Sequence, residues 1–244
     1  MAALSTLMIR QNYESVLERI HRAAIRSNRA PDSVKLVVVT KTHPTEVVQA
    51  VLEAGARYVG ENYVEEAVAK IQTMSKGFPV QWHMIGHIQR RKASLVCQYF
   101  QYIHSLDSLH LAQRLESISA QQGIILPALL ECNLAGEETK FGFPIWQDAI
   151  WPELLPDIEQ IVNLTHLHIS GLMGMAPYFT EAELSRPYYH RLQSFQNYLR
   201  RAIPTVDWSE LSMGMSGDFE VAIEEGATWV RIGQSILGPR PGSA

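Results

Sequence analysis

The apolar positions of this chain follow two alternating rhythms. Near the start, Tyr13, Val16, Leu17, Ile20 and Ala24 fall on one face of a helix over about residues 5–27. A polar turn over 27–32 then leads into Leu36-Val37-Val38-Val39, which runs on to Thr40-Lys41. Four apolar residues without alternation predict a strand buried on both faces, as in a parallel sheet. Thr42, His43 and Pro44 break that strand, and a helix reads from Thr45 to Leu52, closed by Ala54-Gly55. The same beat then repeats. Strands at Tyr58–Asn62, Trp82–Gly86, Tyr102–Asp107, Ala128–Asn133, His166–Met173, around Leu211 and at Thr228–Ile232 alternate with helices. Those helices read as Val64–Met74, Arg91–Phe100, Ser108–Gln121, about Ile145–Ile161, Glu181–Ala202 and Phe219–Glu225. Pro152 and Pro156 are expected to kink or split the fourth of these.

Such alternation implies a parallel sheet with helices packed outside it. Roughly eight strand–helix units predict an α/β fold, a single (β/α)8 TIM barrel over residues 1–244. A doubly wound open sheet is the alternative, because periodicity does not establish closure. No linker, low-complexity tract or short repeat divides the chain. The net charge of −4 offers no global pull toward nucleic acid or an anionic membrane. Cys97 and Cys132 are the only cysteines and form no CxxC pair, which argues for a reducing compartment and against a zinc site. Arg10, Glu14, Glu18 and Arg19 interrupt any signal-peptide core, and no apolar stretch approaches a membrane span. A cytoplasmic protein is expected.

Lys41 stands at the carboxyl end of the first buried strand, the edge at which α/β folds bind ligands. Low-dielectric walls disfavour an ammonium there and favour a free amine able to form a Schiff base. The plainer reading is a lysine reaching into solvent. The stretch Leu211-Ser212-Met213-Gly214-Met215-Ser216-Gly217-Asp218 places small residues between a strand and a short helix. Its backbone N–H groups and the hydroxyls of Ser212 and Ser216 suit an anion, and Asp218 is expected to cap the helix at Phe219. The next strand ends in Gly233-Gln234-Ser235, and two adjacent loops of this kind are the recurrent phosphate site of barrels. Arg231 inside that strand needs a partner, which could be a ligand, Glu61 or Glu131.

Other residues carry weaker signals. No acidic residue joins His83 and His87 in a metal set, and His166 and His168 read as packing or hydrogen-bonding residues. Arg90-Arg91-Lys92 reads as a solvated helix start. Lys140, with Glu137 and Glu138, is either a solvated salt bridge or a second lysine near the pocket. Met173, Met175, Met213 and Met215 are barrel core or pocket wall.

Several stretches, taken in order, resemble one family. They are Val37 to Lys41, Gly60-Glu61-Asn62-Tyr63, Trp82-His83-Met84-Ile85-Gly86, Lys140-Phe141-Gly142-Phe143, Gly171-Leu172-Met173-Gly174-Met175, Ser212 to Asp218 and Val230-Arg231-Ile232-Gly233. Together they resemble the pyridoxal phosphate homeostasis proteins. The resemblance implies a barrel similar to that of alanine racemase, with pyridoxal 5′-phosphate held by Lys41 as a Schiff base. It further implies that Arg231 faces the pyridine nitrogen and that the phosphate lies by Ser212, Met213, Gly214, Ser216 and Gly233. Asn62, His83 and Met173 would line the pocket. Arg91 departs from the family pattern, which has asparagine before Lys92.

The residue chemistry agrees with that reading. An aldehyde cofactor needs an amine, its phosphate needs small-residue loops, and its ring nitrogen needs a partner. An arginine partner has no acidic proton to give, so the ring is a weaker electron sink. The resemblance implies a monomer that binds the cofactor and influences its supply without evident catalysis, with apo pyridoxal phosphate-dependent enzymes as recipients. The alternative is a racemase or other enzyme on the same barrel. Those similar in fold carry a second, mainly β domain, and Gly238-Pro239-Arg240-Pro241 leaves no residues for one. A barrel enzyme using Lys41 on a sugar aldehyde or ketone is a further alternative.

Overall fold

The computed structural model describes residues 4–74, 77–137 and 139–239. Glu138, Arg240 and Pro241, invoked above, lie outside the described residues. Helix α1 (Thr6–Arg26) buries Ile9, Tyr13, Val16, Ile20, Ala23 and Ala24, and the Ser5 hydroxyl caps it by accepting from Met8 N–H. The chain continues through β1 (Lys35–Val39), α2 (Thr45–Glu53), β2 (Tyr58–Glu61), α3 (Val64–Met74), β3 (Gln81–Met84), α4 (Ala93–Tyr99), β4 (Tyr102–Leu106) and α5 (Leu109–Gln122). It then forms β5 (Leu126–Asn133), the two-residue β6 (Phe143–Pro144), α6 (Trp151–Val162), β7 (Leu167–Gly174), α7 (Arg186–Ala202), β8 (Glu210–Ser212), α8 (Phe219–Glu224), β9 (Trp229–Ile232) and α9 (Gln234–Leu237).

Pairing is parallel in the order β4-β3-β2-β1-β9-β8-β7-β5, and β4 also pairs with β5. That last ladder closes eight strands into a barrel and decides against the open sheet. β6 adds to the last two residues of β5 at the top. Outward side chains such as Leu36, Val38, Val59, Met84, Ile103 and Leu130 join the helices in one apolar core. Inward ones fill the lumen, where Tyr58, His83, Tyr102 and Trp229 pack ring against ring.

Three sequence expectations are revised. Residues 145–147 are not helical, because β6 holds the preceding segment against β5 and Ile145 N–H bonds Asn133 O at 3.1 Å. Pro152 sits in the first turn of α6, where its missing N–H costs nothing. Pro156 lies inside α6 without dividing it; so near the helix start it removes a single ladder bond. Asp218 does not cap α8 with its side chain and points back along the loop instead.

Candidate functional site

Strand alternation sets the direction of each residue at the barrel mouth. Val37 and Val39 face inward, where they meet the positions a Cβ on Gly60 or Gly233 would occupy. The same alternation carries Lys41 to the lumen side and Thr40 to the outer side. Lys41 is half-buried. Its two neighbours are gripped from behind. Lys70, buried on the inner face of α3, gives one ammonium proton each to Thr40 O at 2.8 Å, Glu61 Oε1 at 2.8 Å and Glu66 Oε1 at 2.6 Å. Thr40 Oγ1 donates to Glu61 Oε1 at 2.6 Å, and Thr42 N–H donates to Glu66 Oε1 at 2.6 Å. Thr42 has φ of 65°, in the left-handed region. A β-branched residue held there stores strain on the order of 1–3 kcal/mol. Burial pushes the Glu61 carboxyl pKa up, and the Lys70 charge opposes that rise.

Below the mouth a polar chain crosses the lumen. Arg231 Nη1 donates to Ser212 Oγ at 2.6 Å and Nη2 to Gly174 O at 3.1 Å. Ser212 Oγ lies 2.8 Å from His104 Nδ1, and His104 Nε2 lies 2.8 Å from His83 Nδ1. Arginine only donates, so the Ser212 hydroxyl accepts from Arg231 and links it to His104, and the two imidazoles share one hydrogen bond between His104 Nε2 and His83 Nδ1. His83 Nε2 is buried with no hydrogen-bond partner among the described residues. Burial, with the Lys35 charge second, holds the His83 pKa at about 3, and burial lowers His104 as well. Both imidazoles are neutral. Arg231 is fully enclosed, and burial lowers its pKa too.

The two small-residue loops meet as the sequence suggested. Ser235 N–H donates to Ser216 Oγ at 3.2 Å, and Ser235 Oγ donates to Ser216 O at 3.4 Å. Gly214 has φ of +92°, and a Cβ there would lie 2.6 Å from Ala222 Cβ. Asp218 Oδ1 accepts Met215 N–H at 2.7 Å, while its Oδ2 accepts from Ser185 Oγ and Tyr189 OH. The carboxylate therefore shapes the loop from behind. At Gly233 a Cβ would lie 3.0 Å from Val39 O, so glycine eases the close approach of β9 to β1.

The residues predicted for one pocket thus divide into two levels. Lys41, Asn62, Gly214, Ser216 and Gly233 belong to strand ends and loops at the mouth. Ser212, Met213, His83, Met173 and Arg231 are buried among the strands, each 4% exposed or less. The Ser212 hydroxyl lies between Arg231 and His104. Arg231 finds its hydrogen bonds in Ser212 and Gly174, not in Glu61, which faces α3. Glu131 instead carries a buried Oε2 with no hydrogen-bond partner among the described residues, and burial, with Asp107 second, pushes its pKa up to about 7 against the pull of Arg231 and Lys140. The same holds for Asn62 Oδ1, buried with no hydrogen-bond partner among the described residues.

A cleft of about 370 Å³ is lined by residues that do not include Lys41. It opens across the mouth between His87, Arg90, Asp107, His110 and Phe141. His87 stacks on Phe141 at 3.6 Å and meets Asp107 Oδ2 at 2.9 Å. No group of three or more metal-ligating side chains occurs among the described residues. No helix among them is long and apolar enough to cross a membrane. Lys70 and His104 are the site residues the sequence reading missed. Lys70 had a signal, since it shares the α3 stripe of Ala67, Ile71 and Met74.

The profile of the alanine racemase N-terminal domain matches residues 17–241. The pyridoxal phosphate homeostasis protein of Aquifex aeolicus is 38% identical over 226 residues, covering 92% of this chain and 95% of the relative. That of Pseudomonas aeruginosa is 39% identical over 236 residues, with 95% and 96% covered. The structure of PipY from Synechococcus elongatus with pyridoxal phosphate bound is 34% identical, with a TM-score of 0.78 and 91% and 100% of the two chains covered. An alanine racemase of Clostridium difficile shares the fold at 15% identity, with a TM-score of 0.71 over 96% of this chain and 58% of that one.

Proposed function

The chain belongs to the pyridoxal phosphate homeostasis protein family, and from that membership we propose that Lys41 is the residue through which it holds its cofactor. It is a pyridoxal 5′-phosphate-binding protein of cofactor homeostasis. When bound, the cofactor supplies an aldehyde that condenses with a primary amine and a ring that withdraws electrons. The residues present fit such a group. Lys41 offers an amine at the mouth. Gly214, Ser216 and Gly233 form a cradle in which a Cβ at Gly214 would collide with Ala222 and one at Gly233 would crowd Val39 O, and the backbone of Met213 leads into it. Asn62 Oδ1 is a buried acceptor awaiting a donor.

Each residue then has a separate task. Lys41 would bind through its amine, and the tied loops at Ser216 and Ser235 would hold the phosphate. Arg231, anchored by Ser212 and Gly174, would offer the ring a charge with no proton to release. His104 and His83 brace Ser212 from below, and Met173 keeps water from the lumen. Exposed Tyr63, Phe141 and Tyr178 around the mouth suit hand-over to apo forms of pyridoxal phosphate-dependent enzymes. The observation that carries the reading is the backbone of Lys41, pinned on both sides at the strand end next to the two tied loops.

Titration with pyridoxal phosphate, followed by near-visible absorbance, tests it. The unmutated chain should develop a band that Lys41→Ala does not. Loaded protein should exchange the α-proton of L-amino acids for deuterium well below about one per second. Lys41-dependent exchange at that rate would replace homeostasis with catalysis.

A further inference from the structure

We propose that Lys70, Glu61 and Glu66 are positioning residues for Lys41, acting through the backbone on either side of it; this rests on the assignment of Lys41 above. Three observations carry the proposal. The Lys70 ammonium has three protons, and each is given to an acceptor tied to this one turn. Two of those links end on the main chain next to Lys41: Lys70 holds Thr40 O directly, and it orients the Glu66 carboxylate that accepts Thr42 N–H. Thr42 is also one of only two non-glycine residues with positive φ among the described residues. That conformation is strained for a threonine, and two contacts hold it here: Thr42 N–H on the Glu66 carboxylate and the turn hydrogen bond from His43 N–H to Thr40 O at 3.1 Å.

The consequence concerns the amine. With Thr42 released, the backbone between Thr40 and Thr42 gains freedom, and the Lys41 amine no longer waits in one place. Covalent capture of an aldehyde needs that placement, whereas non-covalent binding by the phosphate loops does not. The two should separate in a Glu66 variant.

Glu66 is the residue to change, because its side chain is 30% exposed while those of Glu61 and Lys70 are at 0% and 5%. In Glu66→Ala the association constant for the covalent adduct with pyridoxal phosphate, read from absorbance and borohydride trapping, should fall about tenfold or more. Affinity for pyridoxine 5′-phosphate, which has no aldehyde, should change less than about twofold. Glu66→Gln keeps an acceptor for Thr42 N–H and should recover most of the adduct. Thr42→Gly removes the strain, so in that background Glu66→Ala should cost less than in the native sequence. Thermal unfolding of each variant separates misfolding from misplacement.

Equal losses for the two ligands would overturn the proposal, as would an unchanged adduct in Glu66→Ala. Absence of any adduct in the unmutated chain would instead overturn the Lys41 assignment itself.

Discussion

Replacing Lys70 with Met removes the cation that two carboxylates share while keeping the length of the side chain. The cost is therefore electrostatic and not a cavity. Glu61 bears it, because its side chain is wholly buried and its Oε2 has no hydrogen-bond partner among the described residues. Breaking one side of a buried ion pair costs about 3–5 kcal/mol. At about 2–4 °C of melting temperature per kcal/mol for a chain of this size, the midpoint should fall roughly 6–20 °C near pH 8. The loss depends on pH with a definite sign. Burial raises the Glu61 pKa above its unfolded value of 4.5, and without Lys70 it rises further. A raised carboxyl stabilises the fold, relative to higher pH, only while protonated, so stability declines as pH climbs through the folded pKa. The Lys70→Met penalty should thus be smallest near pH 4.5 and grow by up to about 1.4 kcal/mol per pH unit until Glu61 ionises. Lys70→Met combined with Glu61→Gln, which retains an acceptor for Thr40 Oγ1, should recover most of the loss. Thermal unfolding followed by circular dichroism from pH 5 to pH 8 measures all three proteins. A penalty equal at both ends of that range, or a double variant less stable than Lys70→Met, would refute the reasoning.

Three further outcomes follow from the geometry. Glu131, with a pKa raised from 4.5 to about 7, should cost the native protein about 3 kcal/mol as pH rises across that interval; Glu131→Gln should flatten the dependence and melt higher at pH 8, as calorimetry would show. Gly171→Ala should unfold the barrel or lower its midpoint severely, since the new Cβ would lie 1.8 Å from Glu210 O, whereas Gly217→Ala meets nothing within 4 Å and should melt as the native chain does. Ser216→Ala should weaken pyridoxal phosphate more than pyridoxal, by about threefold to tenfold for one lost hydrogen bond to a charged group, and equal effects in parallel titrations would separate the loop from the phosphate.

Much of this arrangement was legible in the sequence because it follows from strand period and turn chemistry. The run of Leu36 to Val39 announced a buried strand, and Lys41 at its end announced the mouth. The glycines at 214 and 233 marked the two loops, which the Ser216–Ser235 bonds join. Closure was not legible, because it depends on β4 meeting β5, a contact no local pattern encodes. Arg231 was visible as a buried charge in need of partners, but its partners are a hydroxyl and a backbone carbonyl that only the packed lumen brings near. Glu61 had a readable orientation: with Gly60 and Asn62 facing inward, the residue between them must face out. Lys70 lay in plain view on the apolar face of α3, where a lysine with a glutamate four residues earlier reads as an ordinary surface pair. Burial turned that pair into the support for Lys41.

If Lys41 holds the cofactor, borohydride reduction of the chain loaded with pyridoxal phosphate fixes it there covalently. Peptide mass mapping should then find a phosphopyridoxyl group on the peptide bearing Lys41 and none in Lys41→Ala. A stoichiometric modification on Lys140 or any other lysine, with Lys41 unmodified, would contradict it.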